Sequence, residues 1–374
     1  MITIKKISDL KYKIDKNPFY VDGKGGQLGD RAIIADAKIV EVYEDYIVLD
    51  RNLADGKYEY EIDVKRRKDI SKQHTAQHIF SALAYNKFSL NTVGFRMAEE
   101  YTTVDLDNKD ITEEMMVMLE EEVNQIISKN IGVEELIFSN EEAHKLENLR
   151  KQVKDKIKGD VRFIKISDID ICACAGFHVK KTSEIKIFKI IAHEIVKGNW
   201  TRFYFLAGDR ARKDYSQKHK IIKNLTNIFS CKTDEILDML DKNLKEKEKI
   251  EGNFKNLLNK YSVYLVKELE ENHIEYRGQK IILYTEDKNI AEILGRYVNL
   301  DEFLLICGYD KNYSFISNKV NCQNLIKNIS KNNQEIKGGG SPKKGNIKLS
   351  KNYSYREILE IIKRGIDEEG NEDG

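Results

Sequence analysis

His74-Thr75-Ala76-Gln77-His78 and Cys174-Ala175-Gly176-Phe177-His178 each offer two side chains able to ligate a metal ion. On a helix, positions four apart share a face with Cβ atoms about 5–6 Å apart, so His74 and His78 can grip one cation. Cys174 and His178, on a loop or a strand end, would close a tetrahedron, the geometry preferred by zinc. The chain has only seven histidines, and three fall into these two pairs. Chance spacing explains that poorly. If the stretch at Cys172–Cys174 is extended, both thiols point to the same side, and either can reach the ion.

These pairs need elements to position them, and the chain is expected to be of the α+β class. At 374 residues it is long enough for two or three domains with separate cores. Residues 1–68 read as a small β-barrel, from short β-branched runs such as Ala37–Val42 and Tyr46–Leu49. Before them, Gly23, Gly25, Gly26 and Gly29 mark a tight loop where backbone approaches backbone or a ligand. No Gly-Lys-Ser/Thr follows, which excludes a nucleotide loop. Residues 69–208 read as the metal-bearing domain: a helix capped by Ser71, a second from Thr112 to Asn130, and strands at 161–166, 184–196 and 200–206. Gly198-Asn199 is the expected hairpin turn. Residues 209–274 lack proline and show apolar spacings of three and four, the pattern of a helical hairpin with coiled-coil character. Residues 275–374 alternate strand-like and helix-like segments, as in a small α/β domain.

Composition narrows the function. The net charge is +1, so any nucleic-acid footprint must be local. One exists: between Lys327 and Arg356 stand eight basic residues and a single acid, around Gly338-Gly339-Gly340. Glycines let backbone N–H groups approach phosphates, and Lys343 and Lys344 supply charge. Five cysteines, odd in number and unevenly spaced, argue against a disulfide scaffold. Neither a signal sequence nor a membrane-length apolar run is evident, and a reduced, cytoplasmic protein is expected.

The chain resembles the free-standing alanyl-tRNA editing proteins of the AlaX type, in the long form with a C-terminal DHH-associated domain. The resemblance rests on Phe19-Tyr20 through Gly25-Gly26-Gln27-Leu28-Gly29-Asp30, on the His74–His78 segment, and on Cys174–Val179 with Thr182–Ile185. Arg202–Gly208 and the triple glycine extend it over nearly the whole chain. Phe177 departs from it, standing where the family has a small polar Thr, and Ala175 replaces a Gly. That bulk is expected to narrow the amino-acid pocket.

What the resemblance implies is a zinc-dependent hydrolase acting in trans on tRNA specific for alanine that carries serine or glycine. A pocket made for alanine excludes these two poorly, so fidelity needs a hydrolytic sieve. His74, His78, Cys174 and His178 would hold Zn²⁺, with Cys174 favoured over Cys172. The ion would either acidify a water or anchor the substrate amino group. Gln27 and Thr75 are the candidate catalytic polar groups, and Phe177 and Arg202 the candidate pocket residues. Gly338, Gly339, Gly340, Lys343 and Lys344 would contact tRNA, and the helical hairpin or the C-terminal domain could pair two chains. With the barrel expected almost at the first residue, no ATP-dependent activating domain is expected before it. Two alternatives stay open: an editor of another aminoacyl-tRNA, or a non-catalytic tRNA-binding protein with structural zinc.

Overall fold

The computed structural model describes residues 1–146, 149–153, 159–196, 198–333 and 335–369. The chain divides into two units, Met1–Ile228 and Phe229–Gly374, and each mixes helix and sheet, in keeping with the expected α+β class.

The first unit opens with seven short strands, β1 (Ile2–Ser8), β2 (Lys11–Ile14), β3 (Ala32–Ile34), β4 (Ala37–Val42), β5 (Tyr46–Leu49), β6 (Gly56–Tyr58) and β7 (Tyr60–Ile62). They form a barrel-like sheet in the order β6-β1-β2-β5-β4-β3-β7. Alternation drives this: Ile2, Ile4, Tyr12, Ile34, Ile47 and Leu49 point into one buried cluster. The glycine-rich loop leaves this sheet and turns back at Lys24–Gly26. A Cβ on Gly26 would lie 2.6 Å from the Phe95 carbonyl oxygen, so the loop seats only because glycine has no side chain.

Helix α1 (Val64–Phe88) follows and is the axis of the unit. It begins well before the cap expected at Ser71. Asp63 is the N-cap, its carboxylate accepting from the Arg66 N–H. Ser71 instead donates from its hydroxyl to the Arg67 carbonyl inside the helix. Residues Gln73–Ala84 are all buried, so α1 is covered on every side through the metal-capable segment.

Packed around it are β8 (Thr92–Met97) and β9 (Thr102–Leu106), then α2 (Glu113–Ser128), capped by Thr112 as expected. Next come β10 (Val133–Phe138), α3 (Asn140–Lys145), β11 (Val161–Ile166), β12 (Asp170–Ala173), β13 (Phe188–Val196) and β14 (Trp200–Ala207). Two antiparallel sheets result, β13-β14-β9-β8 and β10-β11-β12. The strand expected from Glu184 starts only at Phe188, because Thr182–Ile185 forms a 3-10 turn and Lys186 takes a left-handed φ of 73°. Gly198 and Asn199 are both left-handed, as the hairpin between β13 and β14 requires. Helix α4 (Asp209–Phe229) leaves β14.

In the second unit, α5 (Ile236–Glu271) leads into a six-stranded sheet. Its strands are β15 (Ile274–Tyr276), β16 (Gln279–Tyr284), β17 (Phe303–Tyr309), β18 (Asn312–Ile316), β19 (Lys337–Gly340) and β20 (Lys344–Lys348), with α6 (Lys288–Ala291), α7 (Cys322–Asn332) and α8 (Tyr355–Glu369). Leu258, Leu265 and Val266 of α5 pack on the β16–β17 face, while Leu237 and Leu244 stay exposed. The triple glycine is not a loop: it is edge strand β19, with Gly338–Gly340 in register against Gly345–Ile347 of β20.

No helix among the described residues is long and apolar enough to cross a membrane.

Candidate metal centre

The middle of α1 and the loop after β12 meet so that His74, His78, Cys174 and His178 each bring one ligand atom within 4.8 Å of the others. The Cys174 Sγ stands 3.6 Å from His74 Nε2 and 3.3 Å from His178 Nε2. Zinc bonds of about 2.3 Å to sulfur and 2.0–2.1 Å to nitrogen imply S···N edges of about 3.5 Å in a tetrahedron. The donor set fits a tetrahedral cation.

Outer partners fix which ring nitrogen faces the centre. His74 Nδ1–H donates to Gln27 Oε1 at 2.8 Å, His78 Nδ1–H to Asp170 Oδ2 at 2.8 Å, and His178 Nδ1 lies 3.1 Å from Thr75 Oγ1. All three rings therefore present Nε2 inward, the arrangement that makes imidazole a good metal ligand. Phe95 stacks on the His74 ring with centroids 5.1 Å apart. Gly176 is obligatory here, since a Cβ would stand 2.2 Å from the His74 ring and 2.7 Å from Gln27 Oε1.

Burial would raise the Cys174 thiol, yet hydrogen bonds from His178, His74 and His78 bring it down to about 2. Burial lowers His178 to about 3 and lowers His74 as well. Burial also acts to lower His78, but Asp170 and Cys174 outweigh it and raise the group to about 10. Asp170 is held below its ordinary range despite burial, by His78 and by the Arg150 guanidinium, whose Nε donates to its Oδ1 at 3.0 Å. A thiolate and a buried carboxylate thus favour positive charge at the centre of the three rings.

The cluster opens on a cavity of about 480 Å³. His74, His78 and Cys174 are on its wall, with Gln77 of α1, Thr92–Phe95 of β8, and Lys24 and Arg150 at other points. Cys172 also lines it, but its thiol is outside the four-residue cluster and is raised by burial.

The other expected site residues are placed as follows. Gln27 is buried, and its Oε1 accepts from both His74 and the Phe177 N–H at 2.8 Å, leaving Nε2 without a partner among the described residues. Thr75 Oγ1 also accepts from the Val179 N–H at 3.1 Å. The Phe177 ring does not enter the cavity. It packs against Tyr20, with centroids 4.9 Å apart, and under the Arg67 guanidinium at 4.9 Å. Arg202 is committed to a two-point ion pair with Asp105 and is not part of the cavity wall. In the second unit, Lys344 lies with Lys337, Lys348, Asn346 and Tyr309 around a cavity of about 440 Å³, whereas Lys343 is exposed outside that wall.

Sequence reasoning missed Asp170, Arg150 and Arg162. The last donates from Nη1 to the carbonyl oxygens of Cys174 and Gly176 at 2.8 and 2.9 Å, shaping the ligand loop. Asp170, four residues before Cys174, was the one readable signal: a carboxylate close to a ligand segment is a common histidine orienter.

A domain described as the threonyl and alanyl tRNA synthetase second additional domain matches residues 161–204, the stretch from β11 through most of β14 that carries Cys174 and His178. The fold places this matched stretch beside the central histidine-bearing helix. Over 366 residues the chain is 26% identical to the alanyl-tRNA editing protein AlaX-L of Pyrococcus horikoshii, covering 91% of this chain and 88% of that one. It is 27% identical to the bovine alanyl-tRNA editing protein Aarsd1 over 255 residues, or 66% of this chain, and spans 57% of that relative's length. It is also 26% identical over 307 residues to the alanine–tRNA ligase of Rickettsia bellii, covering 78% of this chain and 34% of the ligase. The chain is a relative of the AlaX-type alanyl-tRNA editing proteins.

Proposed function

We propose that this protein is a zinc-dependent aminoacyl-tRNA deacylase that removes serine or glycine in trans from tRNA specific for alanine. The observation that carries the reading is the cluster of His74, His78, Cys174 and His178, the first three on the wall of an open cavity, with Nε2 of each histidine aimed inward by Gln27, Asp170 and Thr75. A bound zinc would supply Lewis acidity at the ester or a fixed point for the substrate amino group. The chain's own residues do the rest. Gln27 holds His74 and the Phe177 amide in place, so it positions a ligand rather than touching the ester. Arg150 holds Asp170, which holds His78. Lys151 on the cavity wall gives positive charge suited to the phosphates near a tRNA 3′ end, whereas Lys24 and Arg150 there are already paired with Glu44 and Asp170.

Contact with the body of the tRNA is assigned to the second unit, where Lys337, Lys344 and Lys348 converge, with Lys343 adding charge at the nearby turn. Gly338–Gly340 serve there as a strand that lets the lysine-bearing β20 pair closely. A cytoplasmic site of action follows from this substrate.

Four protein donors also suit a structural zinc, and that is the second reading. One experiment separates them. The purified protein, with zinc content measured, is given seryl-, glycyl- and alanyl-tRNA specific for alanine, with and without a chelator. Deacylation that needs no ATP and is lost on chelation, while tRNA binding persists, supports the enzyme. Full tRNA binding with no ester cleavage would establish the structural role.

A further inference from the structure

The segment between His74 and His78 contains a side chain to which neither the metal nor its outer partners give a role. Gln77 lies one helical turn from His74 and from Ser81, so residues 74, 77, 78 and 81 share a face of α1. It is 5% exposed and faces the same cavity as the metal-capable residues. Its Nε2–H donates to the Ser81 hydroxyl at 2.8 Å. Thr92, on the cavity wall of β8, donates its hydroxyl to the same oxygen at 2.7 Å. Ser81 is wholly buried, and the end of the Gln77 amide that meets it is Nε2. The amide nitrogen points to the protein, and among the described residues Oε1 has no hydrogen-bond partner.

The acceptor atoms of Gln27 and Thr75 beside the centre are occupied, and the unpartnered Gln27 Nε2 can only donate. Gln27 Oε1 and Thr75 Oγ1 each accept from a ligand ring and from a backbone N–H. Gln77 is thus the acceptor that α1 leaves open to a molecule in the cavity. The chain of Gln77, Ser81 and Thr92 is neutral, and a neutral acceptor matches a hydroxyl. An ammonium would seek an anionic partner, and no carboxylate lines this cavity among the described residues.

Building on the proposed deacylase reading, we propose that Gln77, oriented by Ser81 and Thr92, recognises the side-chain hydroxyl of the aminoacyl group and so makes seryl esters the preferred substrate over glycyl and alanyl esters. A methyl group or hydrogen in that position would cover the cavity-facing Oε1 without pairing it, which is how a site built around a hydroxyl rejects substrates lacking one.

The test compares wild type, Gln77→Leu, Gln77→Met and Ser81→Ala, each checked for zinc content. The readouts are kcat/KM for seryl- and glycyl-tRNA specific for alanine, and affinity for the uncleavable 3′-serylamino- and 3′-alanylamino-3′-deoxyadenosines. In both Gln77 variants the seryl-to-glycyl ratio should fall by about tenfold or more, the scale of one buried hydrogen bond left unmade. The serylamino analogue should lose its advantage over the alanylamino analogue, and Ser81→Ala should lie between. An unchanged ratio in zinc-loaded Gln77 variants overturns the assignment. Equal loss on both substrates overturns it too, because Gln77 would then contact the shared ammonium. A wild type inert on every ester, with normal zinc, instead overturns the deacylase reading itself.

Discussion

At the scale of single residues, the centre divides labour between atoms that could hold a metal and atoms that aim them. Cys174→Ala should strip zinc from the purified protein, while Cys172→Ala retains it; atomic absorption on both variants checks this, and the reverse pattern would make Cys172 the ligand. Gln27→Leu keeps the volume but removes the acceptor for His74 and Phe177. Zinc affinity should fall about 10- to 100-fold, as for other orienting partners of metal ligands. Asp170 carries a pH signature. Its folded pKa lies below the unfolded value of 3.8, so its contribution is present above that value and is lost as pH falls through the depressed one. For metal-free protein, the denaturation midpoint should therefore drop more steeply below pH 4 in wild type than in Asp170→Asn. Part of this was legible beforehand: the four metal-capable residues were readable from their spacing, whereas Gln27, expected as a catalytic group, instead holds His74 and the Phe177 amide. The roles of Phe177 and Arg202 were not legible either. Whether a ring faces a cavity or stacks on Tyr20 and Arg67 depends on partners 110 or more positions away in the chain.

At the scale of elements, α1 is the part on which the centre depends. Because Asp63 and not Ser71 caps it, Asp63→Ala should cost about 0.5–2 kcal/mol of stability, and Ser71→Ala less than about 0.5 kcal/mol. Chemical denaturation of the two variants decides which residue begins the helix. The early start was hidden because Val64–Asp69 is charged apart from Val64, and charge there reads as loop. In the fold, Arg66 and Arg67 of this first turn pair with Glu99 and Asp30, ion pairs that no local pattern announces. Strands β8 and β9 were missed for a related reason. Gly94 interrupts the alternation of β8, yet it must be glycine because a Cβ would stand 2.6 Å from the Asp105 carboxylate. Elements with strong local signals, such as α2 with its Thr112 cap, were read to within two residues.

At the scale of the whole molecule, the four metal-capable residues lie in the first unit and the lysine-lined cavity in the second. A chain ending at Ile228 should fold, load zinc and cleave mischarged tRNA, but with weaker and less selective binding. Replacing Lys344 and Lys348 with Ala in the full chain should weaken binding and flatten its salt dependence, by roughly 0.7–0.9 in log–log slope for each phosphate that is no longer neutralised. Filter binding across a salt series measures both. An unaltered slope would move the tRNA surface away from β20.

The metal-capable residues also have an order in time. His74 and Cys174 are separated by 100 positions in the chain. At about 5–20 residues per second, a ribosome needs roughly 5–20 s to pass from the first pair to the second. For that interval the growing chain exposes a two-histidine half-site whose partners do not yet exist. Capture of an ion by all four residues would therefore be a closing event in the birth of this unit. Zinc scarcity during synthesis would then be felt by newly made chains first.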